Sequence, residues 1–261
     1  QFSIFNFQLK RKEKEQKVSF RFAIVADSHE DEVYFPQILQ RIKKENVDFL
    51  IHLGDLVNSG DLEKIRQGKD FLDNSGVPYY IIPGDHDYNW QPEHSLANFK
   101  EVFGNEQIYP PNRRVYSSFG HKGFFFILFD NSDNTNEVDV TQLKWLKDEL
   151  EEHATNYQPS TTNKFVFCHK PLLNPYFPDK VDPNGTAVLE LLTDYKVTQV
   201  FSGNVHTFAR YPDSQTGIGI TTIGAAGTYK NPLPQYALVT VFEDGSFNVE
   251  AKPYKEIRLG E

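Results

Sequence analysis

Five apolar residues, Phe22-Ala23-Ile24-Val25-Ala26, run directly into Asp27-Ser28-His29. A short apolar run that ends in polar residues predicts a buried strand. The following segment, residues 35–44, has apolar side chains three and four positions apart, as on one face of a helix. Residues 49–53 then predict a second strand, and residues 62–72 predict a second helix. Strands that alternate with helices in this order predict an α/β protein with crossover helices.

The same alternation continues through the middle of the chain and changes near its end. Further strands are predicted at residues 79–82, 124–129, 165–168 and 199–202, and further helices at residues 142–150 and 187–192. After residue 207, apolar and polar residues alternate between Gly and Pro turns, a pattern that predicts antiparallel strands. These last segments are residues 218–223, 237–242 and 247–251.

Residues of metal-ligand type stand just after five of the predicted strands. They are Asp27 and His29, Gly54-Asp55, Gly84-Asp85-His86-Asp87, His169, and Gly203-Asn204-Val205-His206. Open α/β sheets place their ligands beyond the carboxyl ends of the strands. The glycines that precede three of these residues would let the chain turn sharply and approach a shared centre. We therefore expect the five strand ends to converge.

Each of these short motifs is common on its own. An isolated Asp-x-His or Gly-Asp pair is more often a turn or a helix cap than a metal site. Several carboxylates gathered at one sheet edge, however, are unfavourable unless cations neutralise them. A chain of 261 residues can bury a core large enough to fold without a structural metal. The conjunction of motifs therefore predicts a functional metal site.

Taken together, the five motifs resemble the signature of the calcineurin-like metallophosphoesterases. The resemblance covers residues 20–253, and the order and spacing of the five blocks carry it. It implies an α/β fold in which two mixed β-sheets pack as a sandwich flanked by helices. It also implies two neighbouring cations bridged by Asp55. The implied ligands are Asp27, His29, Asp55 and His206 for the first cation and Asp55, Asp85, His169 and Asn204 for the second.

Two positions depart from the family pattern, which has asparagine where Asp85 stands and histidine where Asn204 stands. The carboxylate of Asp85 adds a negative charge, and the amide of Asn204 replaces a nitrogen ligand by an oxygen ligand. Two divalent or mixed-valence cations are therefore expected, with manganese or iron ahead of magnesium and zinc. Three carboxylates and one bridging hydroxide would balance the charge of two divalent ions. Three hypotheses stay open: a preference for monoanionic phosphodiesters over dianionic monoesters, weak binding of the second metal, or recruitment of trivalent iron.

The resemblance implies hydrolysis of a phosphodiester or phosphomonoester by a hydroxide bound to the two metals. It also implies that His86 contacts the phosphate and protonates the leaving oxygen, with Asp87 fixing the imidazole ring. Aromatic and polar residues close to the motifs could line the substrate pocket. These candidates are Tyr88, Trp90, Asn131, Tyr176 and Phe177.

Composition narrows the choice of partner. The chain has 27 basic and 36 acidic residues and a formal charge of -9, which disfavours nucleic acid and leaves a small phosphoester as the expected partner. Two alternatives to a phosphoesterase acting on small substrates are kept. One is a metal- and phosphate-binding protein whose altered second metal site supports little catalysis, and the other is a nuclease of the same superfamily.

The sequence also bounds the organisation of the chain. The simplest division is a lead-in at residues 1–19, one domain at residues 20–254 and a tail at residues 255–261. No run approaches the roughly 20 apolar residues of a transmembrane helix. The single Cys168 excludes an internal disulfide but fits both reducing and oxidising compartments. A start at Gln1 without any methionine suggests a removed N-terminal segment, so cytoplasmic and exported locations and the oligomeric state stay open.

Overall fold

The computed structural model describes residues 16–89, 95–104, 115–133, 140–156 and 163–255. In chain order the strands are β1 (Val18–Val25), β2 (Phe49–His52), β3 (Tyr79–Ile81), β4 (Ser117–His121), β5 (Phe124–Leu128), β6 (Lys164–Cys168), β7 (Gln199–Ser202), β8 (Ala209–Pro212), β9 (Gly219–Thr222), β10 (Gln235–Phe242) and β11 (Phe247–Pro253). The helices are α1 (Tyr34–Lys44), α2 (Leu62–Ser75), α3 (Ala97–Phe103), α4 (Val140–Asn156) and α5 (Gly185–Asp194).

The strands form two mixed sheets. The first has the order β11-β10-β1-β2-β3, in which β1, β2 and β3 are parallel and β10 and β11 are antiparallel. The second has the order β4-β5-β6-β7-β9-β8, in which β5, β6, β7 and β9 are parallel and the two edge strands are antiparallel. Parallel neighbours send their carboxyl ends to the same edge of a sheet, and this is the edge that carries the motifs.

A core rich in phenylalanine lies between the sheets. The ring centroid of Phe22 in β1 lies 5.4 Å from that of Phe126 in β5 and 6.4 Å from that of Phe201 in β7. Helices α1, α2 and α3 cover the outer face of the first sheet, and α4 and α5 cover the outer face of the second. The predicted sandwich of two mixed sheets flanked by helices is therefore confirmed.

The predicted strands and helices are present, and several extend beyond their predicted bounds. The periodicity does not predict β4, α3 and β8, because these elements are short and the strands among them are interrupted by polar residues, glycine or proline. Residues 218–223 contain β9, for which the antiparallel prediction is wrong with respect to β7. Strand β9 lies between β7 and β8, and it is parallel to β7 and antiparallel to β8.

The ends of the chain are only partly described. Strand β1 begins at Val18, inside the predicted lead-in, because Val18 pairs with Phe242 of β10. The division into lead-in, domain and tail stays a prediction, since residues 1–15 and 256–261 lie outside the described residues. Among the described helices, none combines the length and the apolar character needed to cross a bilayer.

Replacing Phe22 by alanine is expected to lower the free energy of unfolding by about 3–5 kcal/mol, because its fully buried ring packs against rings from both sheets. Phe177→Ala, the same change at a residue that is 40% exposed, is expected to cost about 0.5 kcal/mol or less. Denaturant unfolding followed by circular dichroism measures both values. Equal losses would contradict the assignment of the core between the sheets.

Candidate dinuclear metal centre

Five loops at one edge of the sandwich carry the motif residues. They follow β1, β2 and β3 of the first sheet and β6 and β7 of the second. Their ligand-type atoms form two groups, and within each group all of these atoms lie within 4.8 Å of one another. The first group is Asp27, His29, Asp55 and His206, and the second is Asp55, Asp85 and His169. Asp55 belongs to both groups, so one carboxylate lies between the two candidate cation positions.

The first group contains two neutral imidazoles. His29 Nε2 lies 3.3 Å from His206 Nε2 and 3.5 Å from Asp55 Oδ2, and His206 Nε2 lies 3.6 Å from Asp27 Oδ1. Burial, with the neighbouring histidine charges, lowers the pKa of His29 to about 2. Burial also lowers the pKa of His206 to about 4. Both rings are therefore neutral at pH 7, which is the form that binds a metal ion.

In the second group, the imidazole of His169 lies against two carboxylates. Its Nε2 is 3.0 Å from Asp85 Oδ1 and 3.4 Å from Asp55 Oδ1, and its Nδ1 donates to the carbonyl of Leu53 at 2.8 Å. Burial by itself would lower the pKa of His169, but the charge of Asp55 and the hydrogen bond with Asp85 outweigh it and raise the pKa to about 10. Without a cation, this group therefore holds a proton at pH 7.

The carboxylate of Asp27 tests whether these residues fit cations. Asp27 is completely buried, and its Oδ2 has no hydrogen-bond partner among the described residues. Burial raises the pKa of Asp27 well above its usual range. A buried carboxylate oxygen without a partner is costly, and a cation that accepts carboxylate and imidazole ligands would satisfy it. The residues fit a pair of cations, and the assignment of individual ligands stays a prediction.

Left-handed backbone recurs at the candidate ligands. The residues concerned are Asp27 (φ 54°), His29 (φ 46°), Asp55 (φ 55°), Asn204 (φ 65°) and His206 (φ 55°). Such a conformation costs a non-glycine residue on the order of 1–3 kcal/mol and persists only where the surroundings enforce it. Here the N–H of Asp27 donates to Gly54 O, and the N–H of His29 donates to Asp55 O, both at 3.0 Å. Strain of this kind clusters at functional sites.

Gly84 lets the loops after β2 and β3 approach each other closely. A Cβ atom at this position would lie 2.1 Å from Asp55 Oδ1 and 2.3 Å from Asp55 N. These separations are far shorter than any real contact, so a side chain here would displace the shared carboxylate. The prediction that glycine permits a close approach is confirmed at this position.

His86 lies beside the first group. Its ring centroid is 4.9 Å from that of His29, and its backbone N–H donates to Asp55 Oδ1 at 2.9 Å. The ring is oriented by Nδ1, which donates to the carbonyl oxygen of Asn58 at 2.8 Å. The structure therefore brings the predicted catalytic histidine to the candidate metal ligands.

Asp87 does not orient the His86 ring, and that part of the prediction is wrong. Its carboxylate is buried and accepts two backbone N–H groups, from Val57 at 3.1 Å and from Gly84 at 2.8 Å. Burial, with the charge of Asp55, raises the pKa of Asp87 to about 7. The physical role of Asp87 is to tie the loops after β2 and β3 together.

A comparison with known proteins decides the family. The model of the calcineurin-like phosphoesterase family matches residues 20–208, which is most of the sequence. The chain belongs to this family. Its fold is similar to that of a dimetal phosphatase from Danio rerio, with a TM-score of 0.67 and 18% identity over 92% of this chain and 98% of that chain.

Two curated relatives of this calcineurin-like phosphoesterase are similar in sequence. A probable cyclic nucleotide phosphodiesterase from Xenorhabdus bovienii is 25% identical over 171 residues, which is 62% of each chain. The DNA double-strand break repair protein Mre11 from Sulfurisphaera tokodaii is 39% identical over 69 residues, which is 23% of this chain and 18% of that protein. The matches span between 13% and 62% of the lengths of the curated relatives.

At the two positions where the chain departs from the family pattern, the structure gives different results. Asp85 lies in the second group, where its carboxylate contacts His169. Asn204 occupies a left-handed turn after β7, and its backbone N–H donates to Asp27 Oδ1 at 3.1 Å. The backbone of Asn204 therefore orients a carboxylate of the first group, and a role of its amide at the second cation stays a prediction.

Asn131 holds the backbone around His169 and does not face a substrate. Its Nδ2 donates to the carbonyl of Lys170 at 2.9 Å. Its Oδ1 accepts the backbone N–H groups of His169 and Lys170 at 3.1 and 3.0 Å. Because the side chain is buried and bonded at both ends of its amide, the prediction that it lines the pocket is wrong. Asn131 fixes the turn from which His169 projects.

The aromatic pocket candidates have different outcomes. Tyr88 packs in the core beneath the first sheet and bonds to Ser132, and burial raises the pKa of its hydroxyl, so its predicted substrate contact is wrong. Tyr176 and Phe177 are 69% and 40% exposed and belong to neither ligand group, so their contact with a substrate stays a prediction. Trp90 lies outside the described residues.

Two residues that the motifs do not single out contact the site. Asn58 accepts from the ring of His86, and its Nδ2 donates to the carbonyl of His29 at 3.4 Å. Its place three residues after the second motif is a signal that could have identified it. The ring of Tyr229 lies 4.5 Å from that of His29. Tyr229 belongs to a loop without a motif, so the sequence offers no comparable signal for it.

Metal uptake is expected to release protons. His169 has a pKa of about 10 without metal, so at pH 7 it carries a proton that a coordinating imidazole must lose. The apparent affinity of the second group for Mn²⁺ is therefore expected to rise with pH up to that pKa. Calorimetric titration of chelator-treated protein, at pH 7 in two buffers with different ionisation enthalpies, measures the release.

Asp85→Asn is the informative variant in this titration, because it removes a charge and a hydrogen bond that raise the pKa of His169. We expect it to release fewer protons. Asp244→Asn removes an exposed carboxylate in the hairpin between β10 and β11, and it should match the unaltered protein. Metal uptake by the unaltered protein without any proton release would contradict the assignment of His169 as a ligand.

Proposed function

We propose that the chain hydrolyses small phosphoesters at two cations and prefers phosphodiesters to phosphomonoesters. The sharing of Asp55 by two ligand groups, with His86 beside them, is the observation that carries this proposal. Bound cations would supply the Lewis-acid chemistry that activates water and neutralises charge on phosphate oxygens. The proposed ligands are Asp27, His29, Asp55 and His206 for the first cation and Asp55, Asp85, His169 and Asn204 for the second. The oxygen-rich second group favours manganese or iron over magnesium and zinc.

His86 is the proposed proton donor to the leaving oxygen. The carbonyl of Asn58 can only accept, so Nδ1 of His86 carries a hydrogen and Nε2 is the atom that can hold and deliver a second proton. The bond to Asn58 and the backbone bond to Asp55 fix the ring beside His29. A fixed donor contributes most when the leaving oxygen is too basic to depart without a proton.

Charge supports the preference for diesters. Asp27, Asp55 and Asp85 bring three negative charges against the four positive charges of two divalent ions. The family pattern has a neutral asparagine in place of Asp85, so this centre is less positive by one charge. A less positive centre attracts a dianionic monoester less strongly than the usual centre would. The attraction of a monoanionic diester falls by a smaller amount. The similarity to a probable cyclic nucleotide phosphodiesterase supports the same direction.

With Mn²⁺ bound, the protein is expected to hydrolyse bis(p-nitrophenyl) phosphate faster than p-nitrophenyl phosphate, and a chelator should abolish both activities. Asp85→Asn, which restores the family residue, should shift the ratio of the two rates toward the monoester by about fivefold, since one unit charge is worth ~1 kcal/mol at contact in water. Initial rates measure the ratio, and elemental analysis shows whether the metal content is unchanged.

Asp244→Asn is the matched control for this charge effect and should leave the ratio unchanged. A strong preference of the unaltered protein for the monoester would refute the diester proposal. Absence of hydrolysis of monoesters, diesters and cyclic nucleotides, by protein with two bound metals, would favour a metal- and phosphate-binding protein instead. The departures at Asp85 and Asn204 motivate that alternative.

His86→Ala is expected to slow hydrolysis of an alkyl phosphodiester by about 10²- to 10⁴-fold but to slow hydrolysis of a nitrophenyl diester much less, because nitrophenolate leaves without protonation. His121→Ala is the control, since His121 pairs with Asp48 at the opposite edge of the sandwich. Rates with a methyl and a nitrophenyl ester of the same phosphate measure the difference. Equal losses on both esters would exclude proton donation by His86.

A nuclease is the second candidate function, and the similarity of a short segment to Mre11 motivates it. A nuclease needs basic surface to attract the nucleic-acid backbone, and the formal charge of -9 opposes this. Binding of duplex DNA at increasing salt tests this candidate. Tight binding that weakens steeply with salt would favour the nuclease over an enzyme that acts on small substrates.

A further inference from the structure

The loop at residues 225–231 connects the second sheet to the ligand-bearing loop after β1. The N–H of Ala226 donates to Ala26 O at 2.8 Å, and the N–H of Gly227 donates to Asp27 O at 3.2 Å. A Cβ atom at Gly227 would lie 2.2 Å from the carbonyl oxygen of Ser28, so only glycine permits this contact. The loop is therefore seated against the backbone of the candidate ligands.

The next residues of this loop are held as firmly. The N–H and Oγ1 of Thr228 both donate to Asp31 Oδ2, at 2.9 and 2.8 Å. The carbonyl of Tyr229 accepts from His206 Nδ1 at 2.9 Å. Asn231 closes the loop, because its Nδ2 donates to the carbonyls of Ala225 and Leu233 at 3.2 and 3.1 Å. Tyr229 thus has a fixed backbone on both sides.

The ring of Tyr229 forms a wall of the site. Its centroid lies 4.5 Å from that of His29 and 6.1 Å from those of His86 and His206. The residue is 38% exposed, so part of the ring faces solvent next to the proposed proton donor. A substrate that contacts His86 would therefore lie close to this ring.

Lys230 places a positive charge beside that ring. Its backbone is left-handed (φ 53°), and its Nζ lies 4.7 Å from the centroid of the Tyr229 ring, within the range of a cation–π contact. Lys230 is exposed and forms no ion pair with any carboxylate in the described ranges of the chain. Its charge is therefore available to a ligand.

The other lysine near the site is placed differently. Lys170 is buried behind the second group, where its Nζ donates to the carbonyl of Asp133 at 3.3 Å. Lys230 instead stands at the rim of a site with three carboxylates, on a chain of formal charge -9. An exposed cation oriented by an aromatic ring is suited to binding an anion that approaches from solvent.

We propose that Lys230, positioned by Tyr229, binds a second anionic group of the substrate, separate from the phosphate that the cations bind. The inference rests on the proposed function, because it concerns the same site. Since the ammonium lies 4.7 Å from the centroid of the Tyr229 ring, and that ring lies 4.5 Å from the ring of His29, the second anion would lie a few atoms from the reacting phosphorus. The substrate class is a phosphoester whose alcohol part carries a carboxylate or a further phosphate.

Two phosphomonoesters of similar size test this proposal, because monoesters are products of diester hydrolysis and are therefore ligands of the site. They are 3-phosphoglycerate, which carries a carboxylate, and glycerol 3-phosphate, which carries none. Calorimetry with Mn²⁺-loaded protein measures both dissociation constants. We expect 3-phosphoglycerate to bind about three- to fivefold more tightly, the contribution of one exposed ion pair.

Variants distinguish a direct contact of the second anion with Lys230 from general electrostatic attraction to the site. Lys230→Gln and Tyr229→Leu are expected to reduce the ratio of the two dissociation constants to about one, whereas Lys230→Arg and Tyr229→Phe should retain it. Lys196→Gln is the matched control, because Lys196 is also a left-handed lysine but precedes β7, at the opposite edge of the sandwich. It should keep the ratio of the unaltered protein. Elemental analysis confirms equal metal content in all variants.

The result distinguishes this inference from the proposed function. If the ratio is lost in Lys230→Gln and kept in Lys196→Gln, the inference holds even if no ester is hydrolysed. The inference is overturned if the unaltered protein binds both monoesters equally, if it binds neither, or if Lys230→Gln keeps the ratio. In those cases hydrolysis of a diester would still support the proposed function.

Discussion

The rest of the site depends on two carboxylates, Asp27 and Asp55, that are buried where the two sheets meet. Burial disfavours their charged forms. The histidines around them compensate little, because His29 and His206 have pKa values of about 2 and 4 and are neutral at pH 7. His169 retains a proton that offsets part of the negative charge. The site therefore carries uncompensated negative charge, which bound cations would neutralise.

Close packing beneath the loops holds the buried carboxylates in place. The left-handed backbone at Asp27 and Asp55 is strained, and it persists only where the surrounding structure enforces it. The strands beneath them are central in the first sheet, and rings such as Phe22 and Phe126 pack those strands against the second sheet. Backbone hydrogen bonds then tie one loop to the next. The close packing of the aromatic core therefore supports the strained backbone at the site.

The sequence predicts the positions of residues that follow from local pattern. It does not predict the role of a residue when that role depends on which groups lie nearby in the fold. Candidate ligands at strand ends follow from topology, so the positions of Asp27 and His169 were predictable from the apolar runs that precede them. The roles of Asp87 and Asn131 were not, because a buried polar side chain beside a motif can face a substrate or bond to backbone, and both bond to backbone. The ring of Tyr229 lies beside that of His29, but no periodicity in the sequence predicts the path of the loop that carries it.

Under the proposed function, chemistry and recognition arise from different parts of the chain. The candidate ligands lie at the carboxyl ends of strands, where Asp85 places a carboxylate against His169. The rim is built by the loop after β9, which bonds to the β1 loop and to His206 through main-chain groups. Because those bonds use main-chain groups, they do not depend on the side chains of Tyr229 and Lys230. Under the proposal for Lys230, substitutions at these two positions would change which substrate is bound while the main-chain bonds beneath them are retained.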